Sequence, residues 1–177
     1  MGLLSDLEIQ RLDLPSFRAV VGRIAEAGIG TEVQAALSAP RGRIEPPEMS
    51  RLLDRLSAAI EESPSPRHEW RSLEGIFGTD RLASLLGTSS PSVRRYQSGA
   101  RHTPDFLAAR LHFLATLVGD LAGAYNEIGI RRWFERPRSL LDGKAPSDFL
   151  QGDWNPEASR LQRLRELARS LTASPAT

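Results

Sequence analysis

Between Thr79 and Ser98 the chain reads TDRLASLLGTSSPSVRRYQS, and its polar side chains are of the kinds that recognise nucleobases and phosphates. Arg94 and Arg95 carry planar guanidinium groups. An arginine can bond guanine bidentately, for about 1–3 kcal/mol of discrimination per good pair. Ser90, Ser92 and Gln97 add short-range donors and acceptors within the same two turns. Arg81 near the start of the stretch, and Arg101 and His102 just past its end, suit phosphate contacts, which position a protein without reading sequence.

Those side chains act together only if the backbone holds them on one side. Leu82, Ala83, Leu85 and Leu86 give a first helix an apolar face. Gly87 falls where the chain must turn sharply, and glycine takes the left-handed conformation without steric penalty. Ser90 as N-cap and Pro91 at the first helical position open a second helix. Val93 and Tyr96, three apart, share a face and can pack back on the first helix, and Gly99 ends the second. This is the arrangement of a helix-turn-helix whose second helix enters the major groove, with Ser90, Ser92, Arg94 and Arg95 toward the bases. The same pattern also suits two ordinary core helices of an all-α protein. With Ala83 as the small contact residue, Gly87 as the turn, and Val93 and Tyr96 as the core, the window resembles the Xre (phage-repressor-like) helix-turn-helix. The tail RRYQSGARHTP belongs to the likeness.

Composition bounds the rest. The chain has 177 residues, 40% hydrophobic and 25% charged, which suits one domain or two small ones in a soluble globular protein. It has no cysteine, which excludes disulfides, thiol catalysis and thiolate metal sites. No apolar run approaches the roughly 20 residues of a membrane span, and MGLLSDLEIQ lacks the layout of a signal peptide. A cytoplasmic protein without membrane association is expected. The net charge is only +1, so recognition must use local patches. Arg131, Arg132, Arg136, Arg138 and Lys144 form one such cluster against Glu135 and Asp142. No catalytic set is legible. The three histidines, His68, His102 and His112, have no metal-ligand spacing, and no nucleophile elbow or phosphate-binding loop is present. An enzyme, a cofactor and a metal site are therefore not expected.

Along the chain, Phe17, Val20, Val21 and Ile24 have helical spacing, Gly28 and Gly30 break it, and a short helix follows from Thr31 to Leu37. GIGTEV has two glycines of a dinucleotide fingerprint, but it lacks the third and follows a helical pattern, so it is discarded. Ala39 to Pro47 is a loop by composition. From Pro47 to Glu62, Met49, Leu52, Leu53, Leu56 and Ile60 make an amphipathic helix, either a core helix or a dimerisation surface. Ser63 to His68 is a linker, and Trp70, Leu73, Ile76 and Phe77 begin the next helix. Thr103 as N-cap, with Pro104 and Asp105, opens a long helix predicted to run about six turns to Gly129. Its glycines Gly119 and Gly123 point to close packing or a kink.

Beyond Gly129, Ile130–Glu135 reads as a short helix, Leu140–Gly143 as an apolar pair and a turn, and Pro146–Leu150 as a helical turn with Phe149 inward. Asn155, Pro156 and Glu157 start a last helix with Ala158, Leu161, Leu164, Leu167, Ala168 and Leu171 on one face. The order Trp133, Pro137, Leu140, Gly143-x-x-Pro146, Phe149-Leu150 and a terminal helix, directly after the helix-turn-helix, resembles the toxin-binding domain of the Xre/MbcA/ParS antitoxin family. The likeness covers Ser72 to about Leu171 and leaves residues 1–68 outside it.

That resemblance implies the antitoxin half of a type II toxin–antitoxin pair. The implied partner is a RES-domain toxin that degrades NAD, and the C-terminal domain would cover it and occlude its pocket. The DNA-binding domain would repress the shared promoter. Carried over residue by residue, the toxin contact falls on Trp133, Pro137, Leu140, Gly143 and Pro146 and on the last helix. Trp133, Leu140, Pro146 and Phe149 would equally serve as the core of a small domain. Lys144, Arg160 and Arg163 are contact candidates because a core needs no charge and a pocket for NAD phosphates attracts arginine; a solvated helix face is the other reading of the same charges.

The expectation is thus an all-α protein in three parts. A helical N-terminal extension and linker span 1–68, a helix-turn-helix with its connecting helix 69–128, and a toxin-binding module 129–177. It would bind an inverted-repeat operator as a homodimer. A stand-alone regulator, and an interaction protein with a degenerate helix-turn-helix, are the alternatives.

Overall fold

The computed structural model describes residues 7, 9–11, 13–39 and 44–173. The part of the expected loop at 40–43 lies outside the described residues, as does most of the opening MGLLSDLEIQ stretch. Among the described residues every regular element is a helix, and the one β-type pairing is an isolated bridge between Arg138 and Lys144. No single described helix is long and apolar enough to cross a membrane.

The chain divides into two compact units, residues 2–65 and residues 66–177. The first holds α1 (Leu14–Ala25), α2 (Thr31–Ser38) and α3 (Pro46–Glu62). Asp13 caps α1 by accepting from the Ser16 amide at 3.0 Å, and that bond holds its carboxyl below the ordinary value. Gly28 and Gly30 turn the chain through positive φ between α1 and α2, as a helix–turn–helix corner and not a dinucleotide loop. Val21, Ile24, Ile29, Val33, Leu37, Leu52 and Leu56 make the core. The apolar stripe of α3 is spent on this core, with Ile60 packed against it, and Leu53 is left half-exposed. That is the core-helix outcome of the two expected for this helix.

The second unit holds α4 (Pro66–Phe77), α5 (Thr79–Leu86), α6 (Ser90–Gln97), α7 (Asp105–Ala122), α8 (Glu127–Glu135) and α9 (Ser159–Ala173). Two 3-10 turns, Ser139–Leu141 and Pro146–Leu150, lie between α8 and α9. One hydrophobic core runs from Trp70 on α4 to Ala168 on α9. The sequence division after Ile128 is therefore no break in packing. α7 is buried on nearly all sides, as befits a central helix. Trp70 stacks on Tyr96 at 5.6 Å, and Phe77 meets Phe134 edge-on at 5.0 Å, fastening α4 to α6 and α8.

Several boundaries differ from expectation. α7 stops at Ala122 instead of Gly129, and α8 leaves it at a bend of 117°. Asn126 causes this by accepting the Gly129 amide at 2.9 Å, which starts a new helix that absorbs Ile130–Glu135. Ser89, not Ser90, caps α6, accepting from the Ser92 amide at 3.3 Å. Thr103 does not cap α7, because its hydroxyl accepts the Trp70 indole N–H at 3.0 Å. α9 starts at Ser159, after Asn155 closes a turn on the Glu157 amide. The linker shrinks to Ser63–Ser65, since α4 already begins at Pro66.

Gly87 turns the chain between α5 and α6 at φ 67, and an added Cβ there would sit 2.5 Å from the backbone oxygen of Gly152. Gly143 has φ 76, with open space where its Cβ would be. Gly143→Ala should lose only backbone strain, about 1–3 kcal/mol. Gly87→Ala should lose clearly more, because a backbone must also move. Urea denaturation of the two variants checks this, and equal losses would mean that the 152 loop does not hold the turn.

Candidate nucleic-acid interface and C-terminal surface

The α5–α6 pair is fixed from below by burial. Leu82, Ala83, Leu85 and Leu86 are buried on α5, and Val93 and Tyr96 are buried on α6. Burial of Val93 and Tyr96 leaves the other flank of α6 outward. Arg94, Arg95 and Arg101 are exposed, and Ser90 and Ser92 are half-exposed. Arg101 lies over the Tyr96 ring at 5.5 Å, so a cation–π contact holds it at the C-terminal end of α6. His102 is exposed next to it.

Two expected contacts are diverted. The Gln97 amide donates to the Trp70 carbonyl at 3.4 Å and is half-buried, so it serves the α4–α6 packing. Arg81 pairs at 3.9 Å with Glu135 on α8. Ser90 donates to Asp80 at 2.6 Å, and the Ser89 and Ser92 hydroxyls bond each other at 2.9 Å.

The turn of the pair is clamped by residues the sequence did not single out. Trp154 donates from its indole N–H to the Leu85 carbonyl at 2.9 Å. Arg110 donates from Nε to the Trp154 carbonyl at 2.7 Å and from Nη1 to the Leu86 carbonyl at 3.3 Å. Its guanidinium also pairs with Asp153 and lies 5.2 Å over the Trp154 ring. One signal was available. Arg110 stands three residues after Leu107 and one before Leu111, on the apolar face of α7, where a cation needs buried acceptors. Glu69 and His112, also missed, meet at 2.6 Å between α4 and α7.

The residues carried over as toxin contacts separate into three groups. Trp133 and Pro146 are buried, the core placement that the sequence left open for both. Trp133 packs edge-on against Phe134 at 5.2 Å and floors the Arg138 guanidinium at 4.8 Å. Burial holds Arg138 below its ordinary value, and Tyr125 beside it opposes that shift. Pro137, Leu140, Gly143 and Lys144 form the second group, on an exposed reverse turn. The turn is closed by Arg138 donating to the Lys144 carbonyl at 3.1 Å and Gly143 donating to the Arg138 carbonyl at 3.0 Å. Leu140 stands at its tip, 68% exposed. Arg160 and Arg163 form the third group, exposed on α9. No hydrogen bond or ion pair among the described residues joins those two to the turn.

Among the described residues no group of three or more His, Asp or Glu could hold a metal ion. Comparison with models of known families, with curated proteins and with solved structures returned no match.

The two apolar residues of the C-terminal set should behave oppositely. Trp133→Ala should lose about 3–5 kcal/mol, as for a buried aromatic truncated in a core. Leu140→Ala should stay within about 0.5 kcal/mol, as for an exposed side chain. Chemical denaturation measures both. A large loss for Leu140→Ala would place that residue in the core after all.

Proposed function

We propose that this chain is the antitoxin half of a type II toxin–antitoxin pair. In this reading it binds a RES-domain, NAD-degrading toxin through its C-terminal surface and occludes the toxin's active site. It also binds inverted-repeat operator DNA as a homodimer through α6 and represses its own operon. It acts by binding, not catalysis, in the cytoplasm, and needs no cofactor.

One observation carries the DNA-binding half. A left-handed turn at Gly87 joins two eight-residue helices, and Val93 and Tyr96 on the second are buried while Arg94 and Arg95 are exposed side by side. A two-fold dimer would set two such helices about one DNA turn, 34 Å, apart. The partner half is supported by the resemblance of the C-terminal stretch and by Leu140. Leu140 is 68% exposed on a tight turn on which Lys144 is also exposed, so both are open to a partner.

Replacing both Arg94 and Arg95 with alanine should weaken binding to the chain's own promoter by about 5- to 100-fold per lost arginine, while the product of the adjacent gene still co-purifies. Leu140→Asp should do the reverse. Unchanged promoter binding in the arginine variant would mean that another element reads DNA. Full toxin binding by Leu140→Asp would take the 138–144 turn out of the contact. Co-purification of no neighbour even by the unaltered chain would favour a stand-alone regulator.

A further inference from the structure

Ser90 and Asp80 join the first turn of α6 to the first turn of α5. The Ser90 hydroxyl donates to Asp80 Oδ1 at 2.6 Å, a bond across ten residues. Its direction has no alternative, because a carboxylate carries no proton to give. The one hydroxyl proton of Ser90 is therefore spent inside the protein. Only lone pairs remain on the oxygen of this half-exposed residue.

A serine on a DNA-reading helix ordinarily discriminates poorly, since a hydroxyl can donate to one base and accept from another. Ser92 keeps that freedom. Its oxygen is bonded to the hydroxyl of Ser89, and two hydroxyls can exchange which one donates. Ser90 does not, because its partner is a carboxylate. In the major groove, adenine offers the N6 amino group and cytosine the N4 amino group, whereas guanine O6 and thymine O4 are acceptors. An acceptor-only hydroxyl bonds the first pair and opposes the second.

From this geometry we infer that Asp80 is a specificity-positioning residue, fixing Ser90 as an acceptor so that it selects adenine or cytosine and rejects guanine or thymine. The inference rests on the reading of α6 as the DNA-recognition helix. The arrangement opposes raw affinity, since Asp80 is an exposed carboxylate at an edge meant to face phosphates. Selectivity by built-in repulsion is a recognised route to a difference in affinities.

The test is selection from a random-sequence duplex library with the full chain, Asp80→Ala and Ser90→Ala. The readout is the relative base preference at each position of the bound sequences, which does not depend on the fraction of chain folded. The unaltered chain should show one position per half-site favouring adenine or cytosine by about 3- to 10-fold, the worth of one hydrogen bond. Both variants should flatten that position and leave the others unchanged. If Asp80→Ala keeps the preference intact, or if the position affected by Ser90→Ala favours guanine or thymine, the inference is overturned while the reading of α6 as the recognition helix stands. If the unaltered chain selects no sequence at all, the DNA reading beneath it fails, and this inference with it.

Discussion

Helix α5 ends inside the protein, and the carbonyls of Leu85 and Leu86 must find donors there. The last four carbonyls of any helix lack intrahelical partners, and a buried acceptor left unmet costs about 1–3 kcal/mol. Gly87 and Thr88 take the carbonyls of Ala83 and Ser84 through the left-handed turn. Leu85 and Leu86 are met by side chains from far along the chain, the Trp154 indole and the Arg110 guanidinium. A cation at a helix C-terminus also complements the helix dipole. Arg110 is buried and its charge is answered by Asp153, which is exposed to solvent, so one partner of the pair keeps its hydration.

This clamp ties Arg110 and the 152–154 segment to the α5–α6 turn. Because Trp154 and Gly152 sit against the α5–α6 turn, the C-terminal segment is part of the framework that sets the pitch of α6. Asp120 on α7 pairs with Arg165 at 3.6 Å and Arg169 at 3.5 Å, which adds polar fastening to the apolar contact of α9. The exposed flank of α6 and the 138–144 turn therefore belong to one packed unit, not to two modules joined by a helix.

Local signals were legible where local physics decides. The glycine turn at 87, the inward Val93 and Tyr96 and the apolar stripes of α3 and α9 follow from backbone freedom and helical period alone. Neighbouring residues that could do the same job were not separable. Ser89 and Ser90 both suit a cap, and the interhelix bond to Asp80 claims the second. The break after Ala122 was masked because Leu121, Tyr125 and Ile128 continue the helical spacing across it, and only the Asn126 cap ends the series. Long-range partners were invisible. Thr103 looks like a cap until Trp70, 33 residues earlier, takes its hydroxyl. Trp133 and Leu140 are both apolar, and composition cannot say that α8 turns one inward while a tight turn lifts the other into solvent.

The proposed antitoxin role requires that this chain silence a toxic neighbour by direct contact. The most direct measurement is the NAD content and growth of cells expressing the product of the adjacent gene, alone and together with this chain. NAD should collapse and growth should stop with the neighbour alone, and both should recover when the chain is present. Normal NAD and growth with the neighbour alone, or a collapse that the chain does not relieve, would contradict it.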